Sequence, residues 1–347
     1  MAMGFTSTIA DFDQKQFDSL DRAAGFASSY SRLRQKESDA RWLSRYLGWF
    51  DDHLLRAAIP VYRSRMKSWP DAAYDPLSWD LPNGVGDGCS PGASLVVGGC
   101  GDRRTGLHVD AEARTPGQLR GLLVELAGLA ADEDRCLVFP YMYNDARNAL
   151  AAATSDRIVW ARLGREAHVF GLSDPQWETR LPSKVRNTLR RDQRKIAAVP
   201  MTVGAASWDE VHFWAAELIS SHMAGKGHQE MPEFVSFRYS DLECSDVDLM
   251  AFTAQSAGLR GVQTILLWQD ELEVYEVGLT GDDSDERFAL YVNLVFHLPF
   301  QYARSRGIDH IRLGSKAETP KAARGAIFED YYGGILTMEE TKRLARG

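Results

Sequence analysis

Apolar positions recur along this chain in two periods, one suited to helices and one to strands, and the order of the two repeats once. Residues 17–38 carry apolar side chains at loose helical spacing with few breakers, predicting a helix. Runs at 41–50 and 53–65 read as strands, and the acidic pair Asp51-Asp52 between them predicts a hairpin turn. The stretch 69–92 is rich in Pro, Gly and Asp and predicts a long loop. A short apolar strand at 93–97 is followed by a Gly-rich segment, 98–106. Thr115-Pro116 opens a helix through about 131, because Leu119, Leu122, Leu123, Leu126 and Leu129 share one face. A buried strand at 135–141, a short Ala-rich helix at 145–153, and strands at 157–163 and 168–172 complete the first half.

The second half follows the same plan. Leu181-Pro182 opens a basic helix to about 199, followed by a strand at 201–204 and a helix at 209–222. Strands at 248–255, 262–268 and 273–279 form a meander with turns at 256–258 and 269–271. A long helix at 288–306 contains Pro299, which predicts a kink. A strand at 308–313, a helix at 320–331 and a last strand at 335–338 finish the chain. Leu55-Arg56-Ala57-Ala58-Ile59 resembles Leu259-Arg260-Gly261-Val262, in keeping with an old duplication. The expectation is therefore an α/β (α+β) protein of two domains, 1–165 and 166–347.

Composition narrows the function classes. The 347 residues are 44% hydrophobic and 25% charged, enough to bury two cores. The net charge of −8 disfavours a dedicated DNA binder. The four cysteines, Cys89, Cys100, Cys136 and Cys244, form no CxxC pair, so no metal site is expected; they read as reduced and packed. The first residues lack the features of a signal peptide, and no apolar run is long enough to span a membrane, which points to the cytoplasm.

Against that acidic background the helix from Lys184 is basic. Arg186, Arg190 and Arg194 form one stripe, Lys184, Arg191 and Lys195 another, and only Asp192 is acidic between them. Stacked like charges cost a few tenths of a kcal/mol per pair, so the face suits either phosphate or this protein's own carboxylates. Two lysines, Lys316 and Lys321, lie beyond the end of a strand, where open α/β sheets tend to bind ligands. Glu276 stands in the middle of a central strand and is the first candidate for a base or an amine-binding group. His222 and His228 flank a Gly-containing loop that either forms a substrate lid or is plain connecting chain.

Leu181-Pro182-Ser183-Lys184-Val185-Arg186, with Leu189-Arg190-Arg191, resembles the basic helix of GNAT-fold proteins related to the Fem aminoacyltransferases and to peptidoglycan-biosynthesis-type proteins. Tyr275–Leu279 and the Gly314–Ala326 run, with Lys321 and Arg324, add to the likeness over roughly 175–340. The resemblance implies tandem GNAT-like domains, each a mixed, mostly antiparallel sheet flanked by helices. It implies an acyltransferase in which an amine attacks an aminoacyl-tRNA ester or a thioester, with no tightly bound cofactor. It also implies phosphate or tRNA contacts from Lys184, Arg186, Arg190, Lys321 and Arg324, to which the charge stripes add Arg191 and Arg194; Glu276 and Lys316 are the catalytic candidates by their places at the strands. One departure is informative. Where acetyl-CoA enzymes carry a Gly-rich pyrophosphate loop, this chain has Gly281-Asp282-Asp283-Ser284-Asp285-Glu286-Arg287, and carboxylates repel phosphate. The leading expectation is thus aminoacyl-tRNA-dependent transfer to a small-molecule, cell-wall or natural-product amine. An acyl-CoA donor held by the 98–106 turn, and a non-catalytic RNA- or phosphoglycan-binding module, are the alternatives.

Overall fold

The computed structural model describes residues 2–20, 23–227, 230–243, 246–256 and 258–347. In chain order its elements are β1 (Ala2–Thr6), α1 (Gln14–Leu20), α2 (Tyr30–Lys36), β2 (Trp42–Asp51), β3 (Leu54–Ser64), β4 (Ser94–Val97), α3 (Pro116–Asp132), β5 (Cys136–Tyr143), α4 (Asn144–Thr154) and β6 (Val159–Val169). They continue with α5 (Trp177–Arg180), α6 (Ser183–Ala197), β7 (Thr202–Ser207), α7 (Trp208–Ala224), α8 (Pro232–Glu243), β8 (Asp248–Ser256), β9 (Leu259–Trp268), β10 (Glu271–Leu279) and α9 (Asp285–Val292). The last are α10 (Leu298–Arg306), β11 (His310–Ser315), α11 (Glu318–Ala322), β12 (Ile327–Leu336) and α12 (Met338–Ala345).

The residues group into two compact units, Met1–Gly164 with Asp330–Gly347, and Arg165–Glu329. The segment 330–347, which a linear division at 165/166 places with the second half, packs with the first. The reason is that β12 pairs antiparallel with β5, from Tyr331↔Tyr143 to Leu336↔Leu137. Unit 1 has the strand order β1-β2-β3-β4-β5-β12, and unit 2 has β7-β8-β9-β10-β11-β6. Both orders contain one parallel pair, β4 with β5 and β10 with β11. The repeat read from the sequence is therefore a repeat of topology, and its short likeness falls on the third strand of each unit, β3 and β9.

Each core follows from its helix pattern. Thr115 caps α3 by accepting the Gln118 N–H, Pro116 occupies the first turn, and Leu119, Leu122, Leu123 and Leu126 are all buried. Each such leucine contributes about 1.5–3 kcal/mol by leaving water. In unit 2 the long helix is continuous from α9 to α10 through a π turn at Asn293–His297, where the Leu298 N–H donates to Asn293 O. The wide turn falls just before Pro299, which has no N–H to give.

Several boundaries differ from expectation. In place of a single N-terminal helix there are two short ones, 14–20 and 30–36, with a 3-10 turn at Gly25–Ser28 between them, where Gly25 (φ 57°) lies in the left-handed region. Residues 327–336 are one strand rather than the end of a helix, because the helix begun at Glu318 stops at Ala322 and Gly325 (φ 92°) redirects the chain. The strands expected at 157–163 and 168–172 are one strand, β6.

Candidate functional site

β10 and β11 run parallel only through Glu271↔His310, Leu272↔Ile311 and Glu273↔Arg312. Beyond Glu273, β10 keeps β9 as its partner and β11 keeps β6, so the two strands part and leave a wedge in the sheet of unit 2. Charge pins the closed end of this wedge. Arg312 donates to Glu166 at 2.8 Å and to Glu271 at 2.6 Å, while His310 meets Glu271 at 2.9 Å and His168 at 3.0 Å. Burial would raise Glu271, yet hydrogen bonding to His310 and the charge of Arg312 hold it down to about 2. Burial lowers His168 to about 4, so its ring is neutral at pH 7.

Glu276 stands at the opening. The β9–β10 register slips between Val274 and Val277, placing Tyr275 and Glu276 in a bulge. Side chains satisfy the displaced backbone: Thr264 Oγ1 accepts the Glu276 N–H at 3.0 Å, and Gln263 Nε2 donates to Glu276 O at 2.9 Å. The carboxylate accepts Arg238 Nη2 at 2.8 and 3.0 Å and the Tyr239 hydroxyl at 2.7 Å. Burial, then the Glu276 charge, raises the Tyr239 phenol well above its ordinary value, so it remains a donor. Tyr239 stacks on Trp208 at 4.0 Å, and Arg238 is also anchored by Glu230. Sequence reasoning missed Arg238 and Tyr239, because α8 was not foreseen.

Gly278, two residues further along β10, admits a close approach. A Cβ there would lie 2.6 Å from Ile219 N and Leu218 C, so the backbone of α7 rests directly on the strand. That contact brings the end of α7 towards a group of cations. His222 is lowered to about 4 by burial and by Lys226 and Arg287, and its buried Nε2 has no hydrogen-bond partner among the described residues. Lys226 is lowered by desolvation, then by Lys316 and Arg287. Lys316 is exposed and left-handed (φ 66°) in the turn after β11. Lys321 is buried, donating to Gly314 O at 2.9 Å and Ser315 O at 3.0 Å, and burial lowers it to about 8. It lies in the last turn of α11, not at a helix start as expected. Two of its three N–H donors are used, leaving one for a ligand. His228 lies outside the described residues.

The basic helix divides. Arg324 is no phosphate ligand in waiting: it is 4% exposed, donates to fully buried Asp192 at 2.7 Å and to Pro320 O at 2.8 Å, and lies 4.5 Å over the Phe296 ring. Arg186 closes the end of α5 by donating to Thr179 O and Leu181 O. Lys195 pairs with Asp285, the first residue of α9, at 2.7 Å. Lys184, Arg190, Arg191 and Arg194 are exposed, and no carboxylate among the described residues pairs with them. They oppose the buried face of Val185, Leu189, Asp192 and Ile196. The start of α9 is closed to phosphate, because Ser284 caps it and Asp285 and Glu286 fill its first turn.

Among the described residues, unit 1 has no comparable opening at its parallel pair. Where β4 ends, Thr105 bridges Met142 and donates its N–H to Tyr141 O at 3.2 Å, and Val109 bridges Ala57. The segment that follows the Gly-rich turn thus lies along the sheet and fills the gap beside β5. Gly98 (φ 98°) is required there, since a Cβ would fall 2.3 Å from Thr105 Cγ2. Asp102 is held by Arg32 at 2.9 Å and Lys36 at 3.5 Å.

Two units of the same strand order, each built around one parallel pair, define a tandem GNAT-type, Fem-like fold. No family model matches the sequence, and no curated protein matches it significantly. Solved structures share the fold. FemX aligns over 100% of both chains with a TM-score of 0.65 and 10% identity. The C-terminal domain (DUF2156) of a putative lysylphosphatidylglycerol synthetase from Agrobacterium fabrum aligns over 98% of this chain and 96% of its own, with a TM-score of 0.54 and 13% identity. A tandem GNAT protein from the clavulanic acid biosynthesis pathway aligns over 97% and 99%, with a TM-score of 0.53 and 12% identity. Among the described residues no helix is long and apolar enough to cross a membrane.

Proposed function

We propose that this chain is an acyltransferase that forms an amide on an amine, and that its donor is an aminoacyl-tRNA. The observation that carries the reading is the wedge between β10 and β11, with Glu276 at its opening and a set of cations linked to buried Lys321. The shared fold supports acyl transfer in general. The choice of donor rests on the acidic start of α9, the filled gap in unit 1 and the exposed cations of α6. Lys226, Lys316 and Arg287 would attract donor phosphates. The amine nitrogen attacks the ester carbonyl, a C–N bond forms, the ester C–O bond breaks, and the ribose hydroxyl leaves with a proton. The remaining N–H of Lys321 suits the developing oxyanion, which such donors stabilise strongly in a dry site. Glu276 suits the incoming ammonium, since it already sits in a hydrogen-bonding bulge, and would receive its proton. Charged tRNA places the reaction in the cytoplasm.

The test is transfer from tRNAs charged with each amino acid to a panel of amines, with and without prior RNase treatment. An amide product that RNase abolishes supports the reading. Turnover with acyl-CoA that ignores RNase replaces it with the CoA alternative. RNA binding without turnover from any donor replaces it with the binding-module alternative.

A further inference from the structure

Two buried thiols lie in contact in unit 1. Cys89 Sγ and Cys136 Sγ are 3.1 Å apart although 47 positions separate them, and the residues are 3% and 2% exposed. Nonbonded sulfurs that merely pack stay farther apart, and a disulfide needs about 2.05 Å, so a closing movement of about 1 Å suffices. The surroundings favour one reactive sulfur. Ser94 Oγ is 3.3 Å from Cys136 Sγ, and Ser94 is the residue directly opposite Cys136 in the β4–β5 ladder. The Cys89 contact, and then the Ser94 hydrogen bond, pull the Cys136 thiol below its ordinary value against the effect of burial. Around them lie Trp79, Val138, Ala161 and Ile335, which hold both sulfurs in place. Cys89 belongs to the long connection between β3 and β4, whereas Cys136 begins β5. A bond between them ties that connection to the sheet.

We propose that Cys89 and Cys136 are a redox modification site, forming a reversible intramolecular disulfide with hydrogen peroxide as oxidant. The Cys136 thiolate attacks a peroxide oxygen; the O–O bond breaks, an S–O bond forms, and one water leaves. The Cys89 sulfur then attacks the Cys136 sulfur; the S–S bond forms, the S–O bond breaks, and the Cys89 proton departs with the oxygen as a second water. Two thiols lose two electrons, and the peroxide is reduced to two waters. The site is independent of the proposed acyl transfer, so either can fail without the other.

The full chain, reduced and then exposed to hydrogen peroxide, is freed of oxidant and unfolded in urea containing excess iodoacetamide, so that every remaining thiol is blocked as it is exposed, and its peptides are mapped by mass spectrometry. The expected result is one linked peptide pair joining Cys89 to Cys136, reversed by dithiothreitol. Oxidation should raise the melting temperature by up to about 10 °C, because the bond constrains a long loop in the unfolded chain. Cys89→Ser should abolish both changes; if that variant does not fold, the peptide map of the unaltered chain still decides. Four alkylated thiols after an oxidant that oxidises a control dithiol peptide would overturn the proposal. So would a bond that joins Cys89 or Cys136 to Cys100 or Cys244 instead.

Discussion

Replacing Asp192 with alanine removes the carboxylate that holds Arg324 inside unit 2. The pair lies in the core: Asp192 is 0% exposed, Arg324 is 4% exposed, and the bond is 2.7 Å. Among the described residues, without Asp192 the guanidinium retains Pro320 O and the Phe296 face, which do not neutralise its charge. Breaking a buried pair from one side costs about 3–5 kcal/mol, since an uncompensated ion remains. At ordinary urea sensitivity this lowers the unfolding midpoint by about 1–3 M. The other Asp192 oxygen, Oδ1, has no hydrogen-bond partner among the described residues, so the pair is incompletely satisfied. Asp192→Leu with Arg324→Met should therefore recover most of the loss. The assay is urea unfolding followed by circular dichroism, with RNA binding measured on the still-folded variant. A midpoint change worth under about 1 kcal/mol, or weaker RNA binding at unchanged stability, would refute the structural role and return Arg324 to the ligand contacts.

Lys321→Met should lower kcat by about 10²–10³-fold if its free N–H meets the oxyanion. Because burial holds Lys321 to about 8, the cation is lost above that pH, and kcat/KM should fall through it; Lys321→Arg should flatten that limb. His168 titrates near 4 in the folded chain and near 6.5 when unfolded, so the unfolded state binds more protons between those values. Stability should fall by up to about 3 kcal/mol as pH drops from 6.5 to 4, and His168→Gln should remove that step in acid denaturation. Gly278→Ala should cost about 1–3 kcal/mol by pushing α7 off β10, with a loss of turnover as Glu276 shifts, measurable by thermal melts and steady-state kinetics.

The meander β8–β10 and the helices α3, α6 and α7 were legible because turn residues separate the strands, apolar residues share one face of each helix, and Pro116 and Pro182 mark the starts of α3 and α6. α8 was not, for a physical reason. Its apolar residues surround the helix, with Val235, Tyr239 and Leu242 buried while Phe234 and Phe237 are exposed, so no single face announces it. Arg238 and Tyr239 were lost with it. Glu276 and Lys321 could be singled out from the sequence because a carboxylate in the middle of a strand and a lysine beyond a strand end are local signals. Arg324 was misread because its partner lies 132 positions away in sequence, and no local pattern distinguishes a buried arginine from an exposed one. The return of β12 to unit 1 is likewise a nonlocal pairing, which length and composition do not encode.

Hydrogen–deuterium exchange of the full chain, with and without an RNA minihelix bearing an amide-linked amino acid, locates the donor directly. Slowed exchange in residues 274–279 and 313–322 is the expected result, with exchange at 98–109 unchanged. Slowed exchange confined to 98–109, or to the exposed face of α6, would contradict a reaction centred on the wedge of unit 2.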